Sequence, residues 1–534
     1  MKLTRSPFSL TRAIFLSFFM AIFFQACKKE PNLSSEATPV AGSLQWEGEL
    51  PESPAAPLSG FQVDDIVLRK LHESGVVHWN ELSDEVVWSA LVNSDSLLSV
   101  GYQPEGFAQI EELIHEIDVQ SPVWRDTKKR LVDFIVAESN RLNPDRSVEA
   151  ADILAFEDKP LPYFNIKVHD FEILAKLRRI SVVRYAEPMG YILQEDQRSE
   201  AGCGDYEGDT DLVNGIDYTV ISPSAKRSWN FNVNGISSAW SMSQGDNITI
   251  GLIDTGVSED QAKLNSLFSS GWSTNRFISR HGFFESCSLW LWWCENTGVY
   301  DDCGHGTAMA GIIAAPRTSF NSVGVAYQAN LVSCRATDDV IINESLEKDG
   351  VSDSFYYLGN RSDVKIISMS LGDIFYSGQV ADALIYAHNK GKLIFCAAGT
   401  SVPITNWVGV VFPASMSQPQ AVTGVKDEMP LDNCNECHYG SAVDFVVAMQ
   451  DEDNSSRKPV TLAMSGNQPL YVGGSSIATA TLAGIAALVW AENPSMSRTQ
   501  VVNALKVTSS NYPTKDDQYG WGLVNAQAAV QYVQ

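Results

Sequence analysis

The sequence predicts an α/β protein: a doubly wound parallel sheet with flanking helices, preceded by a helical segment and a small α/β module. Three observations carry that reading. Runs apolar on both faces, at 248–253, 331–335, 364–369, 393–397 and 421–425, read as buried parallel strands. Helical patterns lie between and after them, following His305, at 380–389, following Ser476 and at 498–507, and this alternation builds doubly wound sheets. The 534 residues, 44% hydrophobic and 19% charged, have a globular composition and are too many for one ordinary core.

At the N-terminus, Lys2, Arg5 and Arg12 precede an apolar run at 13–24. A charged region followed by roughly 7–15 apolar residues is the pattern of a secretion signal. A spanning helix needs about 20. The run closes with Phe24-Gln25-Ala26-Cys27, which resembles the lipobox of bacterial lipoproteins. The resemblance implies a signal at 1–27, lipidation at Cys27 and export to the bacterial envelope. The protein would then be lipid-anchored at the outer membrane or cell surface, with secretion as the alternative.

Residues 28–60 are rich in Ser, Pro, Ala and Glu and read as a linker. Within 61–198, the stretch 64–143 has helical periodicity, as in Ile110, Leu113, Ile114 and Ile117, with few strand signals. A small α/β module follows: Phe164, Ile166 and Val168 alternate with polar residues, Ile173, Leu177 and Ile180 repeat at helical spacing, and 182–185 reads as a strand. The formal net charge of −26 repels phosphate backbones and argues against nucleic acid as a partner. By itself it speaks only to solubility.

Cys27 aside, eight cysteines remain. Cys334 and Cys396 sit in strand-like apolar runs and read as buried free thiols. Cys203, Cys287, Cys294, Cys303, Cys434 and Cys437 are the disulfide candidates, and the sequence cannot pair them. Cys434, Cys437 and His438 lack a fourth ligand, so no metal site is assigned.

Three segments carry chemistry. In Ile250-Gly251-Leu252-Ile253-Asp254-Thr255-Gly256 a buried strand ends in an acid, at the edge where α/β sheets place functional groups. Alone, it could equally be a strand-end turn or an aspartic protease motif. In Gly304-His305-Gly306-Thr307 a histidine flanked by glycines opens a small-residue helix. In Gly473-Gly474-Ser475-Ser476-Ile477-Ala478 a serine sits where a helix begins, with its N–H and the helix dipole available to a developing oxyanion. Asp, His and Ser are the groups that serine-dependent peptide hydrolysis requires, and they occur in the order found in subtilisin.

With these motifs, and with Gly324-Val325-Ala326, Ser368-Met369-Ser370-Leu371-Gly372, Phe412-Pro413-Ala414 and Tyr519-Gly520-Trp521-Gly522, the chain resembles the subtilases over 229–534. The resemblance implies a serine endopeptidase acting on polypeptides through Asp254, His305 and Ser476, with Ser370, Leu371 and Gly372 lining the substrate cleft. It also implies that 163–188 ends an inhibitory propeptide. No cofactor is required. Structural calcium is common in the family, and no ligand set here is specific enough to assign. A monomer is expected. The family's oxyanion Asn is replaced, because Ala397-Ala398-Gly399 leads into Thr400, whose hydroxyl is the substitute donor; Asn406 is more remote. Ala480 and Thr481 stand where the family has Pro-His. The alternative implied by Thr400 is a peptide-binding relative with weak catalysis.

Overall fold

The computed structural model describes residues 44–156, 158–194, 202–204, 206–288, 293–400 and 408–534, the side chains of 285–288 and 293–296 excepted. The signal, Cys27, Asn406 and the first part of the linker lie outside them.

The N-terminal module is a four-stranded antiparallel sheet in the order β2-β3-β1-β4, built from β1 (Leu97–Tyr102), β2 (Leu154–Ala155), β3 (Tyr163–Lys167) and β4 (Val183–Pro188). Helices Pro122–Leu142 and Phe171–Leu177 bury Trp124, Leu131, Ile135 and Leu174 in its core. β1 falls inside the stretch whose periodicity reads as helical. Its Leu98, Val100 and Tyr102 alternate with Ser99 and Gly101, a short strand signal between helical patterns, and they form a central strand, so the helices and the α/β module share one core. The linker reading also changes at its end. Trp46 bridges to Ile180, packs on Phe134 and lies beneath the Lys176 ammonium, so part of 44–60 is held to the module.

The larger sheet has seven strands, β5 (Thr249–Asp254), β6 (Ile278–Gly282), β7 (Asn330–Arg335), β8 (Val364–Met369), β9 (Leu393–Ala397), β10 (Gln420–Lys426) and β11 (Phe445–Gln450), all parallel. Their order is β11-β10-β9-β8-β5-β7-β6. Burial on both faces explains the continuous apolar runs of β5 and β9, which are buried throughout; β11, outside the five runs that predict strands, is buried throughout as well. Helices His305–Ala314 and Gly474–Glu492 pack on one face, and Ser345–Asn360 and Gly378–Asn389 on the other. Helix Gly474–Glu492 is long and apolar enough to span a membrane, and 89% of its apolar window is buried within the protein. The strand order turns back between β5 and β8, and such a switch point opens a crevice beyond the strands' carboxyl ends.

The module docks on the Ser345–Asn360 and Gly378–Asn389 helices through charged and polar contacts. Lys159 lies 2.8 Å from Asp349 and 3.0 Å from Asp353, Arg184 grips Asp382, and Glu187 accepts the Gly378 N–H at 2.7 Å. Trp79 of the module stacks on Phe375 with ring centroids 4.7 Å apart.

Candidate active site

The switch-point crevice holds the residues that the sequence singled out. Asp254 is the last residue of β5 and is fully buried. His305 is the first residue of its helix, and its Nδ1 lies 2.7 Å from Asp254 Oδ1. Two glycines make this approach possible. Gly304 has φ +94°, a conformation that suits glycine, and a Cβ on Gly306 would collide with the Gly256 carbonyl. Asp254 Oδ1 also accepts the Thr255 N–H at 2.9 Å.

Sequence reading missed Asp301. This buried carboxylate accepts from Thr255 Oγ1 (2.8 Å), Cys303 N (3.1 Å), Gly304 N (2.7 Å), Thr307 N (2.8 Å) and Thr307 Oγ1 (2.6 Å), so it ties the Asp254 turn to the first turn of the His305 helix. Its position four residues before His305 was the available signal. Burial opposes a charge on His305, but the carboxylate of Asp254, with Asp301 and Asp339 beyond it, outweighs burial and raises the imidazole pKa above 6.5.

Ser476 lies in the first turn of helix Gly474–Glu492, and a cleft of about 500 Å³ is lined by His305, Ser476, Ser370, Leu371, Gly372 and Thr400, among others. The Ser476 hydroxyl donates to the Ser370 carbonyl at 3.4 Å, while Ser370 Oγ donates to the Ser476 carbonyl at 3.0 Å. The nucleophile candidate is thereby docked on the extension of strand β8. Catalytic hydrogen bonds are often loose before substrate binds, so this resting contact is compatible with transfer to His305. Thr400 Oγ1 accepts the Ser475 N–H at 3.3 Å and shares a 3.1 Å hydrogen bond with Ser475 Oγ, which in turn accepts the Gly399 N–H at 3.2 Å.

A model of the subtilase family matches residues 245–522, more than half of the chain. The chain belongs to the subtilase family. This subtilase is 32% identical over 233 residues to alkaline elastase YaB of Bacillus sp. (strain YaB), a match covering 44% of this chain and 57% of that one. It is 30% identical over 231 residues to subtilisin Savinase of Lederbergia lenta, covering 43% of this chain and 79% of that one. The chain thus spans a little more than half the length of the elastase. Among solved structures, fervidolysin of Fervidobacterium pennivorans superposes with a TM-score of 0.55 at 18% identity, over 82% of this chain and 61% of that one, which speaks for the fold.

In this subtilase Cys203, which lines the cleft, is bonded to Cys303, and Cys434 to Cys437, while Cys334 and Cys396 are buried free thiols. Cys287 and Cys294 face each other in register across the hairpin Glu285–Ser288/Trp293–Asn296, and their side chains lie outside the described residues. Among the described residues, no group of three or more His, Cys, Asp or Glu side chains is placed to hold a metal ion, so no calcium site is assigned.

Proposed function

We propose that this subtilase is an exported serine endopeptidase that cleaves polypeptides through an acyl-enzyme. The observation that carries the reading is the buried Asp254–His305 pair at 2.7 Å, opening into the cleft that also holds Ser476. Asp254 accepts the Nδ1–H of His305, which leaves Nε2 as the base for the Ser476 proton. The hydroxyl oxygen attacks the scissile carbonyl carbon, and the imidazolium then returns the proton to the leaving amine. Water repeats the cycle to release the acid.

For the oxyanion, the Ser476 N–H at the helix start is one donor. Thr400 is the second. Its oxygen already accepts the Ser475 N–H, and Ser475 Oγ can donate to it as well, which leaves the Thr400 hydrogen free for the cleft. Ser370, Leu371 and Gly372 offer main-chain groups to an extended peptide.

The N-terminal module acts in this reading as an intramolecular inhibitor, because Tyr191, Ile192 and Leu193 line the same cleft as His305 and Ser476. Lipidation at Cys27 anchors the precursor to the envelope, and the mature protein acts as a monomer.

Labelling with a fluorophosphonate probe, followed by peptide mapping, tests the proposal. Modification of Ser476, absent from Ser476→Ala, is expected. No labelling after removal of the N-terminal module would favour a peptide-binding relative with a disabled oxyanion hole.

A further inference from the structure

Polar side chains that the triad chemistry does not use border the cleft, His438 and Glu436 among them. Two segments border it, Ser370 to Gly372 beyond β8, and Ala397 with Gly399 at the end of β9. Val411 closes the space between them: its N–H bonds to the Ala398 carbonyl at 3.0 Å, and a Cβ on Gly372 would come within 2.8 Å of its Cγ2. Leu371, Ala397 and Val411 make the walls apolar.

His438 borders this space and is 3% exposed. Its main chain is fixed at both ends, the N–H bonding to the Gly399 carbonyl at 3.0 Å and the carbonyl accepting from Thr423 Oγ1 at 2.7 Å. The ring lies so close against Gly399 that a Cβ there would collide with Nδ1. Neither ring nitrogen has a hydrogen-bond partner of normal geometry among the described residues. Burial pushes the imidazole pKa down to about 4, against a weaker opposing hydrogen bond with the Gly409 main chain whose geometry falls outside the normal range. The ring is therefore neutral near pH 7, with one N–H and one bare nitrogen. Burying such a group unmet costs stability, and a substrate group can meet it. Glu436 also borders the cleft, but Lys458 holds it at 2.5 Å and offsets the charge that would attract a basic side chain.

We propose that His438 is a specificity-determining residue, the polar end of the pocket that receives the substrate side chain on the N-terminal side of the cut bond, and that it selects side chains ending in a carboxamide. The apolar walls take the methylene stem. The carboxamide oxygen accepts from the ring N–H, or its NH₂ donates to the bare nitrogen. The inference rests on the peptidase reading above.

The test compares kcat/KM for two peptides that differ only in Gln or Met at that position, a pair matched in chain length in which only Gln carries the carboxamide. The wild type is expected to favour Gln. His438→Leu is expected to lower the Gln-to-Met ratio of kcat/KM by about tenfold or more. His438→Asn, which keeps a donor and an acceptor, is expected to retain part of the preference. Because His438→Leu removes an unmet polar group, its Tm is expected to equal or exceed the wild type's. A wild-type preference for Met, an unchanged ratio in His438→Leu, or an equal loss on both peptides overturns the assignment. If the wild type cuts neither peptide, the peptidase reading fails instead. The same variants are then compared by calorimetric Kd for the two peptides, and an unchanged Gln-to-Met ratio in His438→Leu again overturns the role of His438.

Discussion

His305 Nδ1 stands 2.7 Å from Asp254 Oδ1, the carboxylate fully buried and the ring nearly so. The pair fixes the tautomer, and it also fixes a pH dependence. In the proposed mechanism the base must be neutral to take the Ser476 proton, and the imidazole pKa is raised above 6.5 by Asp254 against burial. The acid limb of kcat/KM is therefore expected above pH 6.5. In Asp254→Asn, kcat should fall by about 10⁴-fold and the acid limb should move to lower pH. An acid limb that stays in place in this variant would remove Asp254 from its role. The pair's contribution to stability follows the same sign: it is present below about pH 6.5 and is lost as pH rises through the folded-state pKa.

Cys203 is bonded to Cys303, two residues before His305 and 100 residues away in sequence. Gly202, Cys203, Gly204 and Tyr206 line the cleft, and the Tyr206 carbonyl accepts the Met464 N–H at 2.9 Å. In the chain-entropy account, closing a loop of this length stabilises by about 4.7 kcal/mol at most. Cys203→Ser with Cys303→Ser should lower Tm by several degrees, and kcat should fall because Asp301 and Gly304 belong to the loosened loop. Unchanged thermal unfolding of the double variant would show that the bond adds no constraint.

The large sheet was legible because strands buried on both faces announce themselves as apolar runs, as at Ile250 to Ile253 and Leu393 to Cys396. Two strands were less legible: β6, whose Ile-Ser-Arg-His-Gly is only half-buried at the sheet edge, and β1, whose alternation of Leu98, Val100 and Tyr102 with Ser99 and Gly101 is short and set within a stretch of helical periodicity. The triad candidates were legible because glycines and a helix start surround them. Asp301 and His438 were not, since their importance comes from what the fold places beside them: five donors around one carboxylate, and no partner of normal geometry around one buried ring among the described residues.

Thr400 offers a sharper test of the oxyanion hole than removal of the nucleophile. Thr400→Val keeps the shape and loses the hydroxyl, so kcat should drop by about 10²-fold with KM nearly unchanged, the pattern of a contact made only in the transition state. Thr400→Ser should retain most of the rate. Comparable kcat values for Thr400→Val and the wild type would leave the Ser476 N–H as the donor and confine Thr400 to holding Ser475, 3.1 Å away.

Glu187 makes the module's hold on the larger domain sensitive to pH. It is buried, accepts the Gly378 N–H at 2.7 Å, and has its pKa raised by burial to about 7, with the Gly378 hydrogen bond and the Lys348 charge opposing the rise. A carboxyl whose pKa is higher in the folded state binds a proton on folding. Its stabilising contribution is complete below the unfolded value of about 4.3 and is lost as pH rises through about 7. Glu187→Gln cannot ionise, so it serves as the pH-insensitive reference. Both chains are compared on a Ser476→Ala background, which keeps the module attached. The Tm of the chain with Glu187, measured relative to that of Glu187→Gln, should fall as pH is raised from about 4.5 to about 7. A difference that is flat over that window would place the pH sensitivity elsewhere in the interface.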